Sequence, residues 1–468
     1  MIGEVIRVFG VFALGYYLVM HVYVLVMSLC SAYSLRRNHN LQRFGRVGEM
    51  LSSRVAPPVS IVIPAYNEAV GIVDSVRSMS IVSYPRLEIV VVNDGSSDDT
   101  LRNLIDAFDL ELVRIPYRAS IPTTEIRGIY RGKGAIPITV VDKTNGSRAD
   151  ALNAGVNAAR HPYVLCTDAD VILDAECLVR SMQRVVEDRE RTVGVGGNVR
   201  PINGSKVELG HLIESRVPRS LIARMQILEY LRNFIAARPA WAGINALPNV
   251  SGAFGVWRKT TLLDVGGFAR GHLGEDMDLT LRVHRFYREN GLEYRIVYEP
   301  SAVIWTEVPA TRQVLRRQRI RWHRGLIHTV RDYWKLALNP GYGAFGMITW
   351  PGYILFEYLA PVVEAIGYVV VPLGLVLGVL SFEAIALVVA VAYGVGLLNT
   401  FIAILLDEPY GYSNGGSDTM RLISAALVEN LGFHQMTVAW RTRAMFGGRS
   451  AKGWGNMERR GVTRLSDA

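Results

Sequence analysis

Cysteine is scarce in this chain. Three of its 468 residues are cysteines, Cys30, Cys166 and Cys177, and no two of them form a CxxC pair. This excludes a small domain held together by disulfides and a zinc site built from thiolates. We therefore expect the polar part of the chain to face a reducing compartment such as the cytosol.

Two glycine-rich phosphate-binding patterns are also missing, although the chain has 44 glycines. The turn after the first strand-like run reads Pro64-Ala65-Tyr66-Asn67-Glu68, without GxGxxG, and no GxxxxGK[ST] follows any strand. These absences exclude a dinucleotide-binding Rossmann domain and a P-loop NTPase. The phosphates of a nucleotide ligand would instead be met by a cation held on acidic side chains.

Charged residues are absent from long stretches of the chain, whose mean hydropathy is +0.19. Residues 9–30 contain no Asp, Glu, Lys or Arg, and a helix of that length matches the roughly 30 Å hydrocarbon core of a bilayer. The alternative, a cleaved signal peptide, has a shorter apolar region. Five arginines follow the run, so the positive-inside rule predicts an outside N-terminus and a cytoplasmic location after about residue 31.

Three further apolar segments lie in the C-terminal part. Residues 347–380 contain Glu357 and Glu364, which favours a tilted or broken span over a buried helix of a soluble protein. Residues 384–406 carry no charge and predict a second span. Residues 421–440 contain polar side chains, and spanning would place a basic tail outside. We expect an interfacial or re-entrant helix there.

The formal net charge of +9 is compatible with three anionic partners: nucleic acid, anionic lipid or a phosphate-bearing substrate. Aromatic residues are not interleaved with a continuous basic stripe, as a nucleic-acid groove would require. The sequence therefore predicts no nucleic-acid partner and favours the lipid bilayer and nucleotide phosphate as partners.

Between the membrane segments, short runs rich in β-branched residues alternate with helical patterns. The predicted strands, which look buried and parallel, are residues 59–64, 87–93, 110–115, 138–141 and 163–168. The predicted helices are residues 69–82, 98–108, 149–159 and 174–186. This alternation predicts a doubly wound α/β layer, in which ligands bind beyond the carboxyl ends of the strands. Residues 117–137 form an insertion to which the sequence assigns no role.

Several motifs occur in the order found in one enzyme family. They are Ser60–Glu68, Val92–Ser96, Asp168-Ala169-Asp170, Gly274-Glu275-Asp276 and the Gln-x-x-Arg-Trp pattern of Gln318, Arg321 and Trp322. Over roughly residues 57–335 the chain resembles family 2 inverting glycosyltransferases with the GT-A fold. It is most similar to the membrane-integrated processive branch of cellulose, chitin, hyaluronan and poly-N-acetylglucosamine synthases.

The resemblance implies an α/β fold, a GT-A (Rossmann-like, mostly parallel) cytosolic domain flanked by transmembrane and interfacial helices. The expected boundaries are a transmembrane helix over 1–35, a linker over 36–56, the GT-A domain over 57–310, an interfacial helix region over 311–345, two transmembrane helices over 346–407, and an interfacial or re-entrant helix with a basic tail over 408–468. The expected location is the inner cell membrane, as a multi-pass protein whose catalytic domain is cytoplasmic.

The resemblance also implies a donor site and a metal site. Asp94 would bind the uracil or ribose of a UDP-sugar, beside a wall formed by Tyr66, Asn67 and Glu68; a helix N-cap is the alternative for Asp94. Asp168 and Asp170 would hold Mg²⁺ or Mn²⁺, with Asp168 near the nucleotide, unless they form only a solvated turn. The segment of Lys143 and Arg148 would meet the donor phosphate or sugar. Many members have Gly-Lys where this chain has Ser147-Arg148, and an exposed loop is the alternative.

The remaining implied roles concern catalysis and the acceptor. Asp276 would be the general base and Glu275 would orient it, although both acids could also cap a helix. Gln318, Arg321 and Trp322 would bind the acceptor sugar and the donor diphosphate, on a helix that could instead be a basic membrane-surface face. Phe254 and Trp257, in a segment where relatives commonly have a cysteine, would contact the acceptor, unless this is a packed core strand.

The expected function is metal-dependent, inverting transfer of a hexosyl or N-acetylhexosaminyl unit from a UDP-sugar to a growing β-linked polysaccharide, with translocation of the polymer. Transfer of one sugar to a polyprenyl phosphate or glycolipid acceptor is the alternative within the class. An inactive membrane export scaffold is the alternative from another class, and the presence of Asp94, Asp168, Asp170 and Asp276 argues against it. A separate export or regulatory partner stays open.

Overall fold

The computed structural model describes residues 2–42, 56–208, 211–411 and 415–447. These residues divide into two compact units. The sheet unit comprises residues 37–42, 56–208, 211–218 and 242–308. The membrane unit comprises residues 2–36, 219–241, 309–411 and 415–447. Each unit is described by itself.

The strands belong to the sheet unit. In chain order they are β1 (Val59–Ala65), β2 (Leu87–Asp94), β3 (Glu111–Leu112), β4 (Ile126–Arg131), β5 (Ile138–Lys143), β6 (Tyr163–Thr167), β7 (Val171–Leu173), β8 (Thr192–Pro201), β9 (Lys206–Glu208), β10 (His211–Glu214), β11 (Phe254–Arg258) and β12 (Arg295–Thr306).

The α-helices occur in both units. In chain order they are α1 (Ile2–Gln42), α2 (Ile72–Ser80), α3 (Thr100–Phe108), α4 (Arg148–Ala158), α5 (Cys177–Glu187), α6 (Leu221–Tyr230), α7 (Arg238–Gly243), α8 (Lys259–Asp264), α9 (Glu275–Glu289), α10 (Arg312–Tyr333), α11 (Trp350–Tyr353), α12 (Ala360–Val376), α13 (Phe382–Asp407), α14 (Gly416–Glu429) and α15 (Phe433–Phe446). π-Helical turns cover Leu231–Ile235, Phe345–Thr349 and Ile354–Leu359, and 3-10 turns cover Trp334–Leu336, Pro340–Tyr342 and Glu408–Tyr410.

One large mixed sheet organises the sheet unit, in the strand order β3-β4-β5-β2-β1-β6-β11-β8-β12-β7. Its centre, β5-β2-β1-β6, is entirely parallel. Strand β11 enters antiparallel between β6 and β8, and β4 and β7 also pair antiparallel with their neighbours. Strands β9 and β10 form a separate hairpin. The parallel centre places the carboxyl ends of four strands at one edge.

Side-chain branching and burial explain the parallel centre. Strands β1, β2, β5 and β6 are almost wholly buried and rich in valine and isoleucine, residues whose branched side chains favour strands. Helix α4 packs closely on them: a Cβ at Gly155 would clash with Val62 and approach Val92. The glycine therefore permits the close approach of helix and sheet.

Four of the five predicted strands are confirmed as buried parallel strands, and the four predicted helices are confirmed with bounds that differ by up to three residues. The prediction for residues 110–115 is wrong. The strand there spans Glu111–Leu112, is exposed and pairs antiparallel with β4. Its place at the sheet edge leaves its side chains without a covering layer. Strand β4 lies within residues 117–137, the insertion that the sequence left unassigned.

Three helical segments among the described residues are long and apolar enough to cross a membrane: Gly3–Arg37, Phe345–Val376 and Phe382–Tyr410. The first lies within the uninterrupted helix α1, and the third contains the uninterrupted helix α13. The second alternates π-helical and α-helical turns, which agrees with the broken span predicted from its length and its glutamates. The protein is a membrane protein.

Helices α1 and α15 supply hydrogen bonds to the broken span. Pro361 has no N–H for the carbonyl of Glu357, four residues earlier. Arg441 Nη2 donates to that carbonyl at 2.5 Å and contacts the Glu357 carboxylate at 3.0 Å. The hydroxyl of Tyr16 donates to Leu355 O at 2.6 Å. Backbone carbonyls left open by an irregular helix need such partners in a membrane, where water is scarce.

Residues 421–440 fall on two helices rather than one. Helices α14 and α15 have 14 residues each and are separated by residues 430–432, of which Gly432 has a φ of 115°. Each is too short to cross a bilayer. Both are consistent with the interfacial or re-entrant arrangement expected there. The predicted basic tail beyond residue 447 and most of the predicted linker, residues 43–55, lie outside the described residues.

One segment differs from the expected domain division. Residues 219–241 were placed in the catalytic domain, but they belong to the membrane unit. Met225 of α6 forms a buried apolar cluster with Leu315 of α10 and Phe433 of α15. These three side chains come from helices far apart in the sequence. Burying their apolar surfaces together holds residues 219–241 in the membrane unit.

Candidate active site

The carboxyl ends of the central strands gather the polar residues that the sequence singled out. Tyr66, Asn67 and Glu68 follow β1, and Asp168 follows β6. Asp94 and Lys143, the last residues of β2 and β5, are register partners. Since these strands are parallel neighbours, their ends form one continuous edge, the usual ligand position in an α/β sheet.

Lys143 is wholly buried between two aspartates. Its Nζ lies 2.5 Å from Asp94 Oδ1 and 2.7 Å from Asp150 Oδ2, and the side chains of Lys143 and Asp150 have no exposed surface. Asp150 also accepts hydrogen bonds from the Thr124 amide and hydroxyl. Burial opposes the charge of Asp150, but these hydrogen bonds and Lys143 lower its pKa below the usual range. Lys143 thus forms ion pairs with two residues of the protein itself. Its predicted contact with the sugar donor stays a prediction.

Backbone amides complete the setting of Asp94. Gly146 N donates to Oδ1 and Ser147 N donates to Oδ2, both at 3.0 Å. Ser147 has a φ of 95°, which is rare for a residue with a side chain. Many members of the resembling family have glycine at this position, where that conformation costs less. Asp94 is 3% exposed, so the strained loop holds its carboxylate in one orientation at the sheet edge.

The turn after β1 is tied to the turn after β2. Asn67 has a φ of 56°. Its side-chain Oδ1 accepts a hydrogen bond from Ser97 N at 2.8 Å, and its backbone N–H donates to Ser96 Oγ. Glu68 N donates to Thr100 Oγ1. Tyr66 is 52% exposed, so its ring is available to a ligand beside Asp94. This arrangement suits the wall predicted for residues 66–68.

Arg148, the first residue of α4, joins the acidic residues of the site. Its Nε and Nη2 lie 2.8 and 2.7 Å from Asp168 Oδ1, and its Nη1 lies 2.6 Å from Glu275 Oε1. Burial disfavours the guanidinium charge, but Asp168 and Glu275 outweigh it and raise the pKa of Arg148 above its usual value. The arginine is therefore a permanent cation in the centre of the site.

Asp170 lies two residues after Asp168, in the turn between β6 and β7. Burial and the negative charge of Asp168 raise the pKa of Asp170 to about 7. Two carboxylates in this setting repel each other, and a cation between them would relieve the repulsion. This donor set fits a divalent ion that takes one or two protein carboxylates and completes its shell with diphosphate oxygens and water. No group of three or more Asp, Glu, His or Cys suited to a metal occurs in the part of the chain that the structure describes.

Glu275 and Asp276 form the first turn of α9, where the helix dipole favours negative charge. Asp276 Oδ2 accepts from Gly252 N at 3.1 Å and from Asn249 Nδ2 at 3.3 Å, and Oδ1 accepts from Met277 N. Burial raises the pKa of Glu275, although Arg148 acts in the opposite direction. Both the helix-cap alternative and a catalytic role are compatible with this geometry.

Phe254 and Trp257 lie on β11 and are 0% and 2% exposed. The Trp257 ring fills the space beside Gly194 of β8. This is the packed core strand that the sequence left open as the alternative. In this arrangement neither ring is available to a sugar, and their acceptor contact stays a prediction without support from the geometry.

Gln318, Arg321 and Trp322 lie on α10 of the membrane unit, whereas the carboxylates lie in the sheet unit. Trp322 is 42% exposed, and the guanidinium of Arg319 lies 4.5 Å from its ring centre. Arg319 also pairs with Glu229 of α6 at 2.7 Å. Arg319 was not predicted, and it holds the exposed indole in place.

Comparison with known proteins decides the family. Residues 57–325 match the family described as "Glycosyltransferase like family 2", which covers more than half of the chain. The chain belongs to this glycosyltransferase family. This confirms the resemblance inferred from the motifs of the sheet edge.

Relatives of this family 2 glycosyltransferase include two staphylococcal proteins. The poly-beta-1,6-N-acetyl-D-glucosamine synthase of Staphylococcus epidermidis is 29% identical over 64% of this chain and 64% of that protein. The protein of the same description from Staphylococcus aureus strain COL is 28% identical over 57% of this chain and 54% of that protein. The chain thus matches less than two thirds of the length of these relatives.

A solved structure is similar in fold. It is the mannosyltransferase PcManGT from Pyrobaculum calidifontis in complex with GDP-Man and Mn²⁺, with a TM-score of 0.50 at 19% identity over 88% of this chain and 99% of that one. The GT-A fold expected for this family 2 glycosyltransferase is confirmed.

Sequence reasoning missed several residues of the site. Asp150 lies inside a helical motif, where its burial against Lys143 left no local signal. Asn249 lies in a loop without a recognisable pattern, and Gly252 lies in the segment that includes Phe254 and Trp257, where its contact with Asp276 was not predicted. The unassigned insertion contributes Thr124 and Ile121, which bind Asp150 and Asn157 of α4. These residues are recognisable only from contacts between distant segments.

Proposed function

We propose that this chain transfers a hexosyl or N-acetylhexosaminyl unit from a UDP-sugar, with inversion, to a growing β-linked polysaccharide. The observation that carries the proposal is the convergence of Asp168, Glu275 and the Asp276 loop on Arg148 at the carboxyl edge of the sheet. It provides a general base and a candidate metal ligand in one cluster, beside the edge occupied by Asp94.

Asp276 and Glu275 have separate roles in the proposed reaction. Asp276 accepts the proton of the acceptor hydroxyl while that oxygen attacks the anomeric carbon from the face opposite the leaving group. The bond between the anomeric carbon and the diphosphate oxygen breaks, and UDP leaves with the electron pair. One displacement without a covalent sugar intermediate inverts the anomeric configuration. Glu275, fixed by Arg148, keeps the first turn of α9 in place.

Asp94 and the 66–68 turn form the proposed nucleotide site. The buried carboxylate of Asp94 reads the uracil or ribose, and the exposed ring of Tyr66 forms a wall with Asn67 and Glu68. Lys143 fixes the orientation of the Asp94 carboxylate through their ion pair. The staphylococcal relatives named above make poly-N-acetylglucosamine by their description, so UDP-N-acetylglucosamine is the proposed donor.

Asp168 and Asp170 are the proposed ligands of Mg²⁺ or Mn²⁺. The bound ion would neutralise charge on the donor diphosphate as UDP leaves. The structurally similar mannosyltransferase was solved with Mn²⁺ and a nucleotide sugar, which supports a divalent ion here. Oxygen-only ligation by two carboxylates accommodates either metal.

The membrane unit supplies the proposed acceptor side. Trp322 would stack on the acceptor sugar, while Gln318 and Arg321 would meet the acceptor and the donor diphosphate. We propose a multi-pass protein of the inner membrane, with its catalytic unit in the cytoplasm and the polymer leaving through the membrane unit. The arginines that follow the first span support this orientation.

The test uses purified membranes that contain the protein. A panel of nucleotide sugars is offered with Mg²⁺ or Mn²⁺, and UDP release and product size are measured together. The proposal predicts UDP release with one sugar, preferably N-acetylglucosamine, and a ladder or high polymer. Release with a product of one added sugar would support transfer to a polyprenyl phosphate or glycolipid. No release from any donor would contradict the proposal.

A further inference from the structure

One arginine side chain contacts three separate segments of the sheet unit. Besides Asp168 and Glu275, Arg148 Nη2 donates to the carbonyl of Gly252 at 2.8 Å. Asp168 follows β6, Glu275 begins α9, and Gly252 lies in the loop before β11. Three donor atoms of one rigid, planar group are used, one or more for each segment.

Gly252 connects this arginine to the proposed base without a direct contact. Its carbonyl accepts from Arg148, while its amide donates to Asp276 Oδ2 at 3.1 Å. Asn249 of the same loop donates to the same oxygen. The position of the loop therefore sets the direction of the Asp276 carboxylate, and Arg148 sets the position of the loop.

Gly252 also has little free space around its Cα. A Cβ there would lie 3.2 and 3.3 Å from the two terminal nitrogens of Arg148 and 3.5 Å from Cβ of Asp276. The loop backbone is thus packed between the arginine and the base. A side chain as small as alanine would push on the guanidinium without changing any charge.

The accessibility and charge of Arg148 favour an internal role over ligand binding. Its side chain is 10% exposed, and its three groups of donors are already used within the protein. A lysine would keep the positive charge but could not reproduce contacts to three segments in one plane. The shape of the group therefore matters here in addition to its charge.

We propose that Arg148 is a positioning residue that holds the candidate metal ligand Asp168 and the base Asp276 in one geometry, acting on Asp276 through Gly252 and Glu275. This inference rests on the proposed function. It differs from the role that the family resemblance implied for this position, a contact with the donor phosphate or sugar. A positioning residue affects the rate of the chemical step, whereas a donor contact affects donor binding.

The test compares Arg148→Lys, Arg148→Gln and Gly252→Ala with the wild-type protein in detergent or nanodiscs. We measure kcat and KM for the donor by UDP release, and the Kd of UDP by calorimetry. The expected result is a kcat lowered about 100-fold in both arginine variants and about tenfold in Gly252→Ala, as misplacement of a base predicts. The Kd of UDP and the donor KM should stay within about threefold in all three.

Several outcomes would overturn the inference. Full rescue by Arg148→Lys would show that charge alone suffices. A tenfold or larger rise in the Kd of UDP or the donor KM with unchanged kcat would assign Arg148 to the donor. Normal turnover by Gly252→Ala would remove the loop as the connection. If Arg148→Gln fails to fold, the charge-conserving Arg148→Lys and the uncharged Gly252→Ala decide the matter. Failure of the proposed function is distinct, since the wild-type protein itself would then release no UDP.

Discussion

The ammonium group of Lys143 lies 2.5 Å from Oδ1 of Asp94, although the two residues are 49 positions apart. Neither side chain is more than 5% exposed. The pair therefore joins the ends of β2 and β5 inside the protein, at the sheet edge where the nucleotide site is proposed. Removing Lys143 would leave Asp94 and Asp150 as buried carboxylates without their shared cation, which proteins tolerate poorly.

Lys143→Met should destabilise the sheet unit by about 3–5 kcal/mol, because Asp94 and Asp150 would then be buried without their shared cation. It should also weaken UDP binding, since Asp94 would lose its fixed orientation. Thermal unfolding and UDP calorimetry measure these effects. Lys133→Met is the matched control, because Lys133 forms an exposed pair with Glu111. Equal melting temperatures for Lys143→Met and the control would contradict this account.

Asp276→Asn should lower UDP release by about 10²–10⁴-fold, the usual contribution of a general base. The amide keeps the size of the side chain but cannot take the acceptor proton. Donor binding and the melting temperature should change little, because the helix and its loop stay in place. Glu289→Gln, at the other end of α9, serves as the control and should keep wild-type turnover. Undiminished turnover in Asp276→Asn would remove Asp276 from the mechanism.

Asp168→Asn and Asp170→Asn should both raise the Mn²⁺ or Mg²⁺ concentration needed for half-maximal UDP release by about tenfold or more. Each substitution removes one of the two carboxylates available to the ion. Chelation should stop release in the wild-type protein, and added metal should restore it. Asp174→Asn replaces an exposed aspartate close by and should leave the metal response unchanged. Full turnover of chelated wild-type protein would rule out a metal requirement.

His284 should make the sheet unit sensitive to acid. It is 0% exposed, with Nδ1 2.6 Å from Tyr294 OH and Nε2 2.9 Å from Leu247 O. Burial lowers the pKa of His284 from 6.5 to about 4. A lowered folded pKa means that the unfolded chain takes up the proton more readily. The stability contributed by the neutral ring is complete above pH 6.5 and is lost as the pH falls towards 4.

Between pH 7 and pH 5 this histidine should account for a loss of about 2 kcal/mol in the free energy of unfolding. Melting temperatures of the wild type and His284→Gln across this range provide the measurement. Glutamine does not titrate, so the variant should lose less stability on acidification, even if it is less stable at pH 7. Parallel pH profiles for the two proteins would show that His284 is not the group responsible.

Arg441→Met should lower the melting temperature of the membrane unit, because the carbonyl that Pro361 leaves open at Glu357 would lose its donor. Arg443→Met is the control on the same helix, since Arg443 is exposed. The rate of limited proteolysis C-terminal to residue 411 gives a second measure of how stably α15 is packed. A variant as stable and as protease-resistant as the control would show that the carbonyl finds another donor.

Much of the fold was predictable because its signals are local. The charge-free runs around residues 9–30 and 384–406 predict helices that are long and apolar enough to cross a membrane, since hydropathy depends on composition along one helix. The β-branched runs that became β1, β2, β5 and β6 needed only their own residues to indicate buried strands. The motif order also identified the family. The prediction of a buried strand at residues 110–115 was wrong, because a short run of β-branched residues does not show whether the strand lies at the exposed edge of a sheet.

The candidate site was predictable as a set of residues but not as a set of contacts. That polar groups end the parallel strands follows from the sequence; that Lys143 lies between Asp94 and Asp150 does not. Whether Phe254 and Trp257 face a ligand or the core depended on β11 entering between β6 and β8. The sequence by itself indicated the family, the helices long and apolar enough to cross a membrane, and the residues at the sheet edge. Only the tertiary structure decided which charges pair, because each partner is supplied by a segment folded back from far along the chain.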